Sequence, residues 1–123
     1  MKKAFTLVEL LVTLSLIAMI MGAGLVAFNS SRAVARDGKR KADLEAIRSA
    51  LELYRSDMGA YPANLNLLSP NYISTLPTDP NTPTRSYSYT PGYTLCAAVE
   101  LGGGTVTGCG SCGMACSYKT TNP

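Results

Sequence analysis

Two groups of residues in this chain have types and spacing that could do chemistry. The first is a single residue, Glu9, the one charge in the run "FTLVELLVTLSLIAMIMGAGLVAF" from Phe5 to Phe28. A lone carboxylate in so apolar a stretch is costly to desolvate, so it needs a partner. The second is Cys96, Cys109, Cys112 and Cys116, all in the last third of the chain. Four thiols can form two disulfides, hold zinc as thiolates, or act in redox exchange. Only Cys109 and Cys112 form a C-x2-C knuckle where a zinc site normally has two, and disulfides suit a small, loop-rich domain, so two bridges are the favoured reading. Three pairings are open, and the spacing does not choose among them. Catalysis has little to draw on: histidine and tryptophan are absent, and with histidine goes the commonest general base. "GGGTVTGCGSCG" lacks the lysine and the following helix of a phosphate loop, and reads as a turn region. The chain is therefore not read as an enzyme, and no cofactor or metal is assigned.

The elements that must position these groups follow from length and pattern. At 123 residues, 46% hydrophobic and 15% charged, the chain has room for one small domain and an attached segment. The Phe5 to Phe28 run is long enough, at about 1.5 Å per residue, to cross a hydrocarbon core of about 30 Å as a helix. An ordinary secretory signal ends in a small-residue cleavage site, but here the small residue, Ala4, precedes the apolar run and follows Lys2 and Lys3. A cut after Ala4 would remove the basic leader, keep the apolar helix, and create an amine on Phe5. That amine could neutralise Glu9 within one helix or on a neighbouring chain, so assembly would relieve an unpaired charge.

These residues carry a resemblance. "KKAFTLVELLVTLSLIA" resembles the class III leader and first helix of type IV pilins and type II secretion pseudopilins, and "YRSDMGAYP", "LPTDP" and "YSYTPG" are similar to the segment after the long helix in the major pseudopilins. The resemblance covers residues 1 to about 93, and the cysteine-rich tail lies beyond it. It implies processing by a prepilin peptidase between Ala4 and Phe5, methylation of Phe5, and assembly through Glu9. It further implies a homo-oligomeric filament built with an inner-membrane assembly platform and minor pilins. The subunit is expected in the inner membrane, in contact with lipid, with its head outside the cytoplasm before it enters a periplasmic or extracellular filament. Ala4 stands where the family usually has Gly, a change the peptidase is expected to tolerate. Major pseudopilins also bind calcium in a late loop through an acidic pair; after Asp79 this sequence has only Glu100, so that site is not carried over. The alternative reading is a single-pass anchored, disulfide-stapled binding domain that never polymerises.

The expected fold is α+β and pilin-like, a long N-terminal helix whose first half crosses the membrane and whose second half carries a small antiparallel sheet. The parts are a leader over 1–4, a transmembrane or filament-core half over 5–28, an amphipathic half over 29–58, a wrapping connector over 59–92 and a cysteine-stapled sheet region over 93–123. Gly22, Gly24 and Asn29-Ser30-Ser31 predict a softening of the helix between residues 22 and 31. Leu44, Ile47, Leu51, Tyr54 and Met58 fall on one helical stripe, with Gly59 as the C-cap residue. Helix pairs are expected between Asp37 and Lys41, Lys39 and Asp43, and Glu52 and Arg55. "SYSYT" and "YTLCAAVE" read as strands joined at Pro91-Gly92, with Tyr93, Leu95, Ala97 and Val99 on the inward face, and "TVTG" and "MACSYK" add two short strands. Arg32, Arg36, Lys39, Arg40 and Lys41 form a basic cluster, read as meeting lipid headgroups or as a solvated face; nucleic acid is disfavoured because no aromatics interleave. By the positive-inside rule alone this cluster would keep the head cytoplasmic, against the leader and the cysteines.

Overall fold

The computed structural model describes residues 5–121. Helix α1 spans Leu7–Met58, and three short strands follow late in the chain: β1 Ser88–Thr90, β2 Thr94–Ala97 and β3 Tyr118–Thr121. They form one antiparallel sheet in the order β1-β2-β3, giving the expected α+β arrangement. The chain divides into two compact units between Ala33 and Val34.

The first unit is the apolar part of α1, long and apolar enough to cross a membrane, with none of its most apolar window buried. Three of its hydroxyls turn back onto their own helix: Thr13 donates to the Leu10 carbonyl at 3.0 Å, Ser15 to Val12 at 2.8 Å and Ser31 to Ala27 at 2.9 Å. Such back-bonding hides polar groups that lipid cannot satisfy. The helix runs unbroken through Gly22, Gly24 and Asn29 to Ser31, where the sequence predicts softening. Each glycine costs about 1 kcal/mol of helix propensity, which Leu, Met, Ala and Ile neighbours can absorb, and no proline removes a backbone N–H there.

In the second unit the helical stripe meets β2. Leu44, Ile47, Ala50 and Leu51 are buried against Leu68, Tyr93, Leu95 and Ala97. Tyr54 closes the end of this core through an edge-on contact with Tyr72, ring centroids 5.3 Å apart, while Met58 at the last helical position is exposed. The stripe is thus one turn shorter than the spacing suggests. Gly59 ends the helix in the left-handed region at φ +77, donating its N–H to the Arg55 carbonyl at 2.8 Å.

β1 and β2 pair through Thr90 and Thr94, so the hairpin loop is Pro91-Gly92-Tyr93, one residue longer than a Pro-Gly turn. Tyr93 adopts φ +77, unusual for a side chain of this size, and is 1% exposed. Its hydroxyl accepts from Arg48 Nε at 3.1 Å, and its ring lies 4.8 Å from that of Tyr61. Of the two further strands expected, one exists and lies later than "MACSYK", pairing Ala97 with Tyr118 through Thr94 with Thr121. "TVTG" is no strand, although Val106 donates to the Cys116 carbonyl at 2.9 Å. Left-handed Gly102 and Gly103 precede it and left-handed Gly108 ends it, which interrupts any ladder.

Candidate functional site

The N-terminal site is built on the first turn of α1. Ala4 lies outside the described residues, and Phe5 stands exposed before the helix begins. Thr6 is the N-cap: its carbonyl accepts from Leu10 N–H and its Oγ1 from Glu9 N–H, both at 3.3 Å. Glu9 therefore occupies the third helical position after a Thr N-cap, where its carboxylate meets the positive end of the helix dipole. Sequence reading passed over Thr6, although Thr6-Leu-Val-Glu9 ahead of an apolar run is itself a helix-start signal. The amine expected to pair with Glu9 comes into being only when the bond from Ala4 to Phe5 is cut. Until then the positive end of the helix dipole is what the Glu9 carboxylate meets without a partner chain.

A second cluster lies wholly within the second unit and was not anticipated. Arg40, with 0% exposure, donates from Nε and one terminal nitrogen to Asp79 at 2.8 and 3.0 Å. Its remaining donors reach Asp37 at 2.6 Å, Glu100 at 3.0 Å and Asn81 at 3.2 Å. Arg36 holds Glu100 from the other side in a two-pronged pair at 2.7 and 2.5 Å. Asp37 accepts in addition from the backbone N–H groups of Glu100 and Leu101, at 2.8 to 3.0 Å.

The electrostatics follow from this geometry. The Arg36 hydrogen bonds, with those of Arg40, hold the Glu100 carboxyl down at about 2 against the effect of burial. Burial opposes ionisation of Asp37 as well, but the two backbone N–H donors and Arg40 outweigh it and keep its pKa below the ordinary value. Asp79 behaves likewise, with Arg40 and the Asn81 N–H overcoming burial. The Asp79 hydrogen bonds push Arg40 above its already high value, so it is permanently charged.

The expected basic face is thus divided among several tasks. Arg36 and Arg40 are bound by carboxylates, Arg32 rests over the Phe28 ring at 4.7 Å and Lys41 over Tyr118 at 5.7 Å. Asp37 pairs with Arg40 rather than Lys41, and Asp43 accepts from the Tyr87 hydroxyl at 2.7 Å rather than meeting Lys39. Glu52 and Arg55 do approach, at 4.0 Å. Both expected i,i+4 pairs give way to partners within the folded unit, Asp37 to buried Arg40 and the Glu100 and Leu101 N–H groups and Asp43 to Tyr87, where solvent screens less.

All four cysteines are bridged, Cys96 to Cys109 and Cys112 to Cys116. The bridges form a second small core with Ala98 and Val106, and Cys96 and Cys112 are fully buried. The first bridge fastens the late loop to central strand β2; the second ties a five-residue loop. Gly113 permits that loop to press on the backbone, since a Cβ there would strike the Thr84 carbonyl. A cleft of about 190 Å³ lies beside Leu65, Leu76, Asp79 and Tyr87. Its two ionisable groups are engaged elsewhere, Asp79 by Arg40 and Tyr87 by Asp43.

Compared with known proteins, residues 1–25 match the family model described as the prokaryotic N-terminal methylation motif, a stretch that includes Ala4, Phe5 and Glu9. No curated protein and no solved structure matches the chain.

Proposed function

We propose, from a leader and first helix consistent with the type IV pilin and pseudopilin family, that this chain is a structural subunit of a type IV pilus or a type II secretion pseudopilus. The observation that carries the reading is the methylation motif joined to a helix whose described apolar side chains between Leu7 and Phe28 are exposed in the single chain. Such a surface suits lipid before assembly and neighbouring helices after it. On this reading the peptidase cuts after Ala4, Phe5 is methylated, and the Phe5 amine of one subunit pairs with Glu9 of the next as the helices leave the bilayer. The head lies outside the cytoplasm, where its two disulfides are stable. "LPTDP" and "YSYTPG" favour the pseudopilus over the pilus.

The test is the N-terminal mass of the protein recovered from cells with and without a prepilin peptidase. A chain beginning at Phe5, about 14 Da heavier than the bare amine, is expected only when the peptidase is present. A terminus at Met1 or Lys2 despite an active peptidase overturns the reading. One observation favours a second reading, an anchored domain that does not polymerise: the Thr6–Glu9 cap stabilises the helix start without any partner. That reading requires an uncut leader and tolerance of Glu9→Leu.

A further inference from the structure

The resemblance to major pseudopilins implies calcium in a late loop, and the donor set here does not fit it. A calcium cage needs about six to eight oxygens around one point. The acidic oxygens near the late loop, from Asp37, Asp79 and Glu100, converge instead on Arg40, with Asn81 completing the ring at 2.6 to 3.2 Å. The oxygens are also taken from behind: Asp37 accepts from the backbone of Glu100 and Leu101, and Glu100 from Arg36. Arg85 donates to the Ala98 carbonyl at 2.7 Å, and its charge adds slightly to the ionised form of Asp79. Among the described residues no group of three or more His, Cys, Asp or Glu side chains is placed to hold a metal ion.

We infer that the Arg40 guanidinium is the built-in structural cation of this head, holding the late loop at Glu100-Leu101 and the Asp79-Asn81 turn onto α1 so that the fold needs no divalent ion. The chemistry favours arginine in this place. Its planar fork meets Asp79 with two parallel donors and still has donors for Asp37, Glu100 and Asn81, which a lysine ammonium could not supply in that geometry. It is covalently part of the helix, so no binding equilibrium or calcium concentration governs its occupancy. The exposed Gly102-Gly103-Gly104 stretch follows directly, and Cys96–Cys109 ties the chain on its far side.

The inference deepens the reading of an exported pilin-like subunit, but its test uses the purified full chain in detergent and does not depend on filaments. Thermal unfolding is followed by near-ultraviolet circular dichroism in millimolar calcium and in excess chelator. The wild-type midpoint is expected to be the same in both, and Arg40→Met to lower it by more than about 10 °C, since it leaves buried carboxylates without their cation. Arg40→Lys is expected to fall between. A wild-type midpoint that drops in chelator and recovers with calcium overturns the proposal, as does an Arg40→Met protein as stable as wild type. Should Arg40→Met fail to fold, the wild-type comparison decides alone. Failure here leaves the filament reading intact, because that reading stands on the mass of the Phe5 terminus.

Discussion

At the scale of single residues, Glu9 and Arg40 pose the same problem, a charge in apolar surroundings, and solve it differently. Arg40 is satisfied within its own chain, by carboxylates up to 60 residues away. Glu9 has only the first turn of its helix, whose unpaired N–H groups and dipole lower the cost of its charge without neutralising it. The two proposed roles of Glu9 separate by substitution. Glu9→Gln keeps the backbone N–H that the Thr6 hydroxyl caps and loses only the charge. It should be processed at Phe5 as efficiently as wild type and yet lower filament yield by about tenfold or more, the effect of losing one charge-assisted hydrogen bond. Sheared filaments quantified against total processed subunit would measure it. Wild-type yield from Glu9→Gln would mean that capping suffices and that no amine pairs with this residue.

Among the elements, the apolar face of β2 and the α1 stripe share one core, and the disulfides build another on the opposite face of the same strand. Alternation along β2 sets this division: Leu95 and Ala97 go to the helix and Cys96 to the bridges, with Tyr93 before the strand joining the first core and Ala98 after it the second. The loop from 98 to 117 has no regular element of its own and depends on the bridges and the Asp37 contacts. Replacing Cys96 and Cys109 together by serine should cost about 3 kcal/mol, while the same change at Cys112 and Cys116 should cost about 2, because the shorter loop restrains the unfolded chain less. Denaturant unfolding of the purified protein, read through its seven tyrosines, would compare the two. Equal losses would show that the bridges act through native contacts rather than through loop closure. The stripe and the strand alternation were legible in the sequence because each is a local period. The left-handed Tyr93 was not, since only the pocket formed by Arg48 and Tyr61 holds it there.

For the molecule as a whole, the clustered carboxylates predict how stability depends on acid. Asp37, Asp79 and Glu100 all have pKa values lowered in the folded state, so each contributes stability that is fully present above the ordinary carboxylate range. That contribution is lost as pH falls through the folded values. The unfolding midpoint should be level above about pH 5 and fall between about pH 4 and the Glu100 value of about 2. Arg40→Met should make this acid limb shallower, chiefly through Asp79, whose main partner it removes, while Arg36 still holds Glu100 and the backbone N–H groups still hold Asp37. An unchanged acid limb in that variant would place the acid sensitivity elsewhere.

The sequence by itself determined the N-terminal motif, the apolar helix with its single carboxylate, the Leu44-Ile47-Leu51 stripe, the hairpin near Pro91 and the presence of four cysteines to be paired. Each of these is written within a few neighbouring positions, where periodicity, capping and turn chemistry act directly on the chain. Only the tertiary structure decided which acids Arg40 would take, which cysteines would join, where β3 would pair and that Met58 would be left out of the core. Those choices are made between segments 13 to 60 residues apart, with the exception of the Arg40–Asp37 pair, the short Cys112–Cys116 bridge and the helix end. At such separations several partners are chemically equivalent, and burial and chain closure select among them.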